Sequence, residues 1–495
     1  FTDQTSVTIA LPHIAKDLNA ESTINWAGTA ALLANTVFQV LFGRLSDIFG
    51  RKSMLMSCLA ILAIADLACG FAQTGVQFYV FRAFAGIGNG GIQLLTMTIV
   101  SDIVTLKQRG KYQGILVSSV GIGNATGPFI MAAFISKLSW RYFYYMLCPL
   151  VCVVAIVIFF LVKNPRKKNL DAVLLRREKF KRIDYIGMLL LTAALTLLLI
   201  PILGGGLTYK WNSSIIIVMF IVGGLCLCAF LIVEWKIPEL PMIPMRLFEN
   251  LLLASILGLN FFFGMAYYGF SFYMPYYFQV VRNKLVIVNC CFVLALVLPQ
   301  LIILIIAGQI ISWSGHYKFV VVAGYVFWVI SCGLLLLWDT KTPTGVCVVI
   351  LLIMGTGVGA TFQPTMVAAQ AQAKKSERAV VISARNVIRL FGGAMGVSMG
   401  SLIVSNSMLG KIDKAMINPL NYNDIPQSYL IYLKNHIYLR IAVSELNFDQ
   451  QEEIRRLYMR TIRDFFYLLI LIIGVCLLST LVVTARGLTC IDEIK

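Results

Sequence analysis

Residues 43–52 read GRLSDIFGRK. The stretch sets Arg44, Asp47, Arg51 and Lys52 around Gly43 and Gly50, between two long apolar runs. Such a dense ionic bend is out of character for the rest of the chain, which is 59% hydrophobic and only 13% charged, with mean hydropathy +0.83. Soluble domains carry about a quarter charged residues, so the composition is that of a membrane protein. Its 495 residues leave room for a dozen or more spans, each of about 20 residues. The formal net charge of +18 would suit nucleic acid, but the Lys and Arg cluster in short loops between apolar runs. Positive-inside topology explains them more simply, and no nucleic-acid partner is expected.

Working outward from the bend, apolar segments fall near 1–13, 25–42, 53–73, 77–101, 113–135, 141–162, 184–204, 213–235, 251–279, 285–311, 318–338, 344–365, 379–405 and 464–486. Fourteen helices are expected, in an all-α polytopic protein. The chain opens on Phe1 with Asp3 inside an apolar run, so it reads as entering within its first, truncated span. The loop 163–183, KNPRKKNLDAVLLRREKFKRI, is heavily basic and marks the cytoplasmic side. Counting spans puts GRLSDIFGRK, KQRGKYQ (107–113) and QAKKSER (372–378) on that same face. The mixed-charge segment 406–463 then lies on the opposite face as an ordered or mobile cap, with the sequon at Asn212.

The chain also repeats itself. GIGNGGIQLLTM (86–97) aligns with GTGVGATFQPTM (355–366), and at the same offset Arg109 meets Arg378, Gly123 meets Gly392 and Gly127 meets Gly396. The Gly43/Gly50 spacing returns at Gly308 and Gly315 in GQIISWSGHYK, where Ser312 replaces the acid and His316-Tyr317 replace Arg-Lys. These echoes divide the chain into a six-helix bundle (1–163), a basic linker with two inserted helices (164–250), and a second six-helix bundle (251–495). Parallel halves with a site between them at the midplane are a recurrent transporter design.

Taken as a set, the motifs resemble the major facilitator superfamily. GRLSDIFGRK is similar to its cytoplasmic signature G-x-L-x-D-x-x-G-R-K. RAFAGIGNGG (82–91) resembles its fourth-helix motif, and GIGNATGP (121–128) its fifth-helix antiporter motif. DQTSVTIALP (3–12) and YMPYYFQ (273–279) resemble patterns of the fourteen-span drug:proton antiporter branch, the second with Met274 where that branch has Leu. Within the branch the chain is most similar to fungal vacuolar basic amino acid transporters. The resemblance implies a proton-coupled antiporter of basic amino acids in the vacuolar membrane. The multidrug and toxic cation exporters of the branch, at the plasma membrane, stand as the alternative. A non-transporting receptor or transceptor is the reading from another class.

The candidate residues follow. Gly43, Asp47, Gly50, Arg51, Lys52 and Asp102 would form a cytoplasmic gate. Positive-inside anchoring accounts for Arg51 and Lys52, but not for Asp47, an acid able to cap a helix of the other half and pair with an arginine. Asp3 is an intramembrane carboxylate, a proton or substrate site by default, or else a group at the interface of a truncated span. The family pattern implies that Arg82 pairs with it. Asp66 and Glu234 are weaker candidates, the latter read as interfacial. Gly123, Gly127 and Pro128 give span five close packing and a hinge.

Span nine is rich in aromatics, most of them suited to lipid or an interfacial belt, with Tyr267, Tyr268 and Tyr273 left to line a cavity and hold a cation. Asn35, Gln39, Gln93, Asn260 and Gln363 line the cavity or bond between helices. Arg385 reads as snorkelling to the cytoplasm, whereas Arg389 lies too deep for that and faces a substrate carboxylate, an acid or carbonyls. The cysteines lack metal-ligand spacing, the histidines His13, His316 and His436 are scattered, and no P-loop is present. No metal, cofactor or enzymatic activity is expected; the partners expected are small molecules, protons and lipid, with the chain as a monomer.

Overall fold

The computed structural model describes residues 2–20, 24, 26–162, 184–204, 213–236, 246–284, 286–373, 377–417, 425–435 and 446–482. Among these residues the protein is helical throughout, with fourteen long helices. The first half comprises α1 (Thr2–Asp17), α2 (Trp26–Phe49), α3 (Arg51–Phe71), α4 (Gly75–Ile103), α5 (Leu106–Lys137) and α6 (Trp140–Leu161). An inserted pair follows, α7 (Tyr185–Gly204) and α8 (Ser214–Lys236). The second half holds α9 (Leu251–Tyr276), α10 (Val286–Ser314), α11 (Lys318–Leu334), α12 (Thr344–Ala371), α13 (Arg378–Ile417) and α14 (Phe448–Val482). Thirteen of these are long and apolar enough to cross a membrane; α1, as given, is shorter. The basic linker 163–183 and Asn212 lie outside the described residues.

The opening stretch forms a one-residue joint between two long helices. Gly50 alone separates α2 from α3, with φ at 97°, a conformation that costs any residue with a Cβ. Its repeat mate Gly315 closes α10 in the same left-handed region, at φ 68°. The repeat extends to helix packing. A methyl on Gly86 would collide with the Ala31 carbonyl, and one on Gly355 with that of Leu296. Gly90 likewise meets the Asn35 carbonyl and Gly359 that of Gln300. Each half therefore seats the glycine face of its fourth helix (α4, α12) against its second (α2, α10), backbone to backbone, as small residues allow in a membrane.

Each half has its own core. In the first, Phe78, Trp140 and Tyr144 meet edge to face, with Phe78 and Trp140 centroids 5.6 Å apart. In the second, Trp328, Trp338, Tyr277 and Phe278 are the bulk, and Phe278 stacks on Phe292 at 3.8 Å. A third cluster joins them: Leu33 and Val37 of α2, Leu195 and Leu199 of α7, and Val387 and Ala394 of α13. The inserted pair is thereby docked on the seam between the halves, where the Ser398 hydroxyl donates to the Ile202 carbonyl at 2.6 Å. Exposed Val153, Ile156, Phe160 and Leu161 of α6 and Ile221 and Leu225 of α8 form an apolar belt suited to lipid.

The segment 406–463 differs from expectation. The flanking spans run on into it, and most of it is helix: α13 continues to Ile417, α14 starts at Phe448, and a short helix, Gln427–Asn435, lies between. Charge pairs one turn apart, such as Arg456 with Glu452 at 3.1 Å, support helix beyond the apolar window. Lys411 reaches Asp464 at 2.9 Å and so ties the two extensions together.

Candidate translocation site

Three groupings of side chains stand out along the seam and within the first half. The first is the gate. At the junction of α2 and α3, Arg51 holds Asp47 at 2.5 Å and Asp102 of α4 at 3.4 Å, and it donates to the Ser46 hydroxyl. Arg44 stands 3.8 Å from Asp47, while Lys52 donates to the Phe159 carbonyl at 2.5 Å with its ammonium 4.7 Å from that ring. The stretch also faces the second half: a methyl on Gly43 would lie 3.2 Å from the Ser383 hydroxyl and 3.6 Å from the Ala379 carbonyl, in the first turns of α13. The mirror contact is made by Gly308 of α10, seated on the backbone of Gly110 at the start of α5. Repeat mates thus occupy matching seams. From Gly110 and Gly308 the α5–α10 seam runs inward to Ser118, which donates to the Leu301 carbonyl at 3.3 Å. The two halves are in contact at the end that bears GRLSDIFGRK.

The second grouping is an ion pair inside the first half. Arg82 of α4 donates from one terminal nitrogen to both oxygens of Asp3 of α1, at 2.5 and 2.7 Å, with the residues 1% and 5% exposed. The antiporter motif packs beside it, since a methyl on Gly127 would lie 2.5 Å from the Thr2 carbonyl. Gly123 sits on the same helix, which continues through Pro128 without a break; the Pro128 side chain is outside the described set. Asp66 of α3, a weaker candidate from sequence, belongs to this site: it is 1% exposed and electrostatically coupled to Asp3 and Arg82.

The third grouping is polar and runs from the end that bears GRLSDIFGRK toward mid-depth. Gln39 donates to Gln93 at 3.0 Å and to Asn35 at 3.3 Å, so these amides bond between α2 and α4. Gln363 of α12 donates to Gln113 of α5 at 3.0 Å, and Gln113 to Gln370 at 3.2 Å, a bridge between the halves. Asn260 bonds its own helix at the Ile256 carbonyl, 2.7 Å away. Tyr267 donates to Gln300 at 3.3 Å. Tyr268 lines an apolar cavity of about 80 Å³ with Leu33, Thr36, Leu199, Gly393 and Ala394, between α2, α7 and α13.

Two sequence expectations change at this depth. Tyr273 is fully buried in the second half's core, its ring 4.6 Å from Phe465 and its hydroxyl donating to the Val397 carbonyl, so it serves packing there. Arg385 does not snorkel: at 0% exposure it donates to the Phe362 carbonyl at 2.7 Å and Thr365 at 3.0 Å. Helix α12 lies within reach of one terminal nitrogen, while Nε and the other terminal nitrogen have no hydrogen-bond partner among the described residues. Arg389, one turn on, places its guanidinium 4.6 Å over the Phe362 ring and makes no hydrogen bond or ion pair among the described residues. Neither arginine is paired with a carboxylate there. Glu234, read as interfacial, is buried at 5% exposure. Gln113, Phe362 and Gln300 were missed from sequence; Gln113 sits at the rim of a basic loop, and the repeat sets it against Ile382, so no motif or echo marked it.

Comparison with known proteins agrees with this geometry. Residues 1–182 and 172–397 match the sequence model of the Major Facilitator Superfamily. The chain is 42% identical over 495 residues to Citrate exporter 1 of Yarrowia lipolytica, spanning 99% of this chain and 70% of that protein. It is 32% identical to the MFS-type transporter clz4 of Cochliobolus lunatus (90% and 81%) and 31% to the efflux pump dotC of Dothistroma septosporum (82% and 69%). Two of these relatives are named for export or efflux and the third as a transporter; none is named as a vacuolar basic amino acid transporter. The human organic anion transporter MFSD10 shares the fold with TM-score 0.56 at 13% identity, covering 94% of this chain and 96% of its own. The proton:xylose symporter XylE does so with TM-score 0.55 at 12% identity, covering 95% and 91%. Paired helical halves, glycine-seated seams and the matched sequence lead to one conclusion: this chain is a multi-pass secondary transporter belonging to the Major Facilitator Superfamily.

Proposed function

We propose that the chain exports a small, carboxylate-bearing organic anion by alternating access of its two halves. The observation that carries this reading is Arg385 with Arg389, two buried guanidiniums on one face of α13 with no carboxylate paired to them among the described residues. Buried charge without a partner is costly in a bilayer, and an anionic substrate is the group that would relieve it. A net cationic amino acid or a toxic cation would instead meet repulsion, which weighs against both the vacuolar amino acid reading and the cation reading. The likeness to a citrate exporter supports the same sign of charge. Export also favours the plasma membrane over the vacuolar one.

In this reading Arg389 contacts the substrate carboxylate and Arg385 holds Phe362 in place beneath it. The buried acidic site around Asp3 and Arg82 couples transport to protons, GRLSDIFGRK latches the cytoplasmic end, and Gly123, Gly127 and Pro128 let α5 bend. The units 1–163 and 251–495 rock about the seam, with the segment 164–250 carrying the inserted pair beside it. A second reading, efflux of a more apolar compound, is favoured by the apolar cavity beside Tyr268.

Counterflow into proteoliposomes separates these. Labelled citrate should exchange, while lysine and tetraphenylphosphonium should not compete. Arg389→Ala should weaken citrate uptake about 10- to 100-fold, the loss of one or two charge-assisted hydrogen bonds. Uptake of lysine or the cation with no citrate exchange would overturn the proposal.

A further inference from the structure

The Asp3–Arg82 site holds one acid more than its arginine can neutralise. Asp66 rises from α3 into the same buried space, about 22 Å along the helix from Arg51, so it lies well away from the gate. Its neighbours come from every surrounding helix: Asp3 from α1, Arg82 from α4, Cys69 from α3 itself, and Tyr144 and Cys148 from α6. Arg82 commits one terminal nitrogen to both oxygens of Asp3. Three buried polar atoms are then left without a hydrogen-bond partner: the Asp66 Oδ1, the Arg82 Nε and the Tyr144 hydroxyl. An apolar shell that includes Phe78, Trp140 and Ala10 seals the cluster.

We infer that Asp66, and not Asp3, is the carboxyl that takes up and releases the coupled proton. This rests on the proposed proton coupling and names the group that carries it out. Placing a proton on Asp3 would remove the charge that pairs with Arg82 and at least one of its two bonds. Placing it on Asp66 leaves that ion pair intact and removes the one uncompensated charge in the pocket. The proton enters on a carboxyl oxygen of Asp66 from water on one side and leaves to water on the other after the halves reorient. No other reactant is needed. Asp3 and Arg82 then act as a fixed pair whose field holds the site together.

The test uses the full reconstituted chain with labelled citrate as probe, alongside infrared difference spectra of the purified protein between acid and alkaline pH. Wild type should accumulate citrate under an imposed pH gradient and show a protonated-carboxyl C=O band that titrates. Asp66→Asn should abolish the gradient-driven component and remove that band, while its thermal unfolding midpoint stays near that of wild type. Asp66→Glu should restore both signals, with the band moved in frequency and the pH profile displaced. Asp3→Asn should leave the band in place. A band lost in Asp3→Asn but kept in Asp66→Asn overturns the assignment, as does gradient-driven uptake that survives in Asp66→Asn. A wild-type protein with citrate exchange but neither gradient dependence nor band refutes proton coupling itself, and the assignment with it. Should citrate not be carried, the infrared arm decides alone.

Discussion

Gln113 offers a direct handle on the seam. It is fully buried on α5, accepts from Gln363 at 3.0 Å and donates to Gln370 at 3.2 Å, so two side-chain hydrogen bonds cross between the halves through one residue. Gln113→Leu keeps the size and removes both. Each such bond contributes about 1 kcal/mol net, and both exist only while this end is shut. In the parted state the glutamines of α12 regain water, so the shut state loses about 2 kcal/mol relative to the open one. With 1.4 kcal/mol per tenfold, that is a shift of about 30-fold. A population about 1% open would become about a quarter open. Spin labels at the exposed positions Lys111 and Ser314, with exposed Cys152, Cys228 and Cys291 replaced by serine, would report the separation of α5 and α10. A second, longer distance should grow in the variant. An unchanged distance distribution would show that the amide bridge does not hold the seam.

Further outcomes follow from the same geometry. Gly50→Ala meets no neighbouring atom but must adopt φ near 97°, so it should cost about 1 kcal/mol of stability, seen as a lowered denaturation midpoint. Gly86→Val and Gly355→Val should lower folded yield to a similar extent, because each drives a side chain into a carbonyl of the adjacent helix; a large difference between them would refute the matched packing. Arg51→Lys should not replace the arginine, since one ammonium cannot serve Asp47, Asp102 and Ser46 together, and transport rate should shift as it does for Arg51→Ala.

Much of the fold was legible because membrane spans are written as apolar runs and because glycine positions repeat. The match of 86–97 with 355–366 became matching backbone contacts, Gly86 on Ala31 and Gly355 on Leu296. Asp3 and Arg82 were legible since charge inside a span must find a partner. The helical extensions of α13 and α14 were not, because their stability comes from charge pairs and tertiary ties such as Lys411 with Asp464, which hydropathy does not register. Side-chain direction was equally hidden. Tyr267 and Tyr273 look alike on paper, yet one meets Gln300 at the seam and the other is lost in the core. Asp66 drew little notice as a single acid; only the fold sets it beside a pair already complete.

The two seams of the gate are alike in backbone and unlike in charge. At one, Gly43 meets α13 alongside a network of Arg51, Asp47 and Asp102; at the other, Gly308 meets Gly110, and the matching loop has Ser312, His316 and Tyr317 in place of the ions. The ions all belong to the first half, so they brace one jamb of the doorway and leave the other bare. In the proposed cycle the braced edge keeps its shape as the halves part, while the bare edge rests on backbone contact alone. Salt and charge substitutions should reach only the braced edge, while added bulk should jam either side.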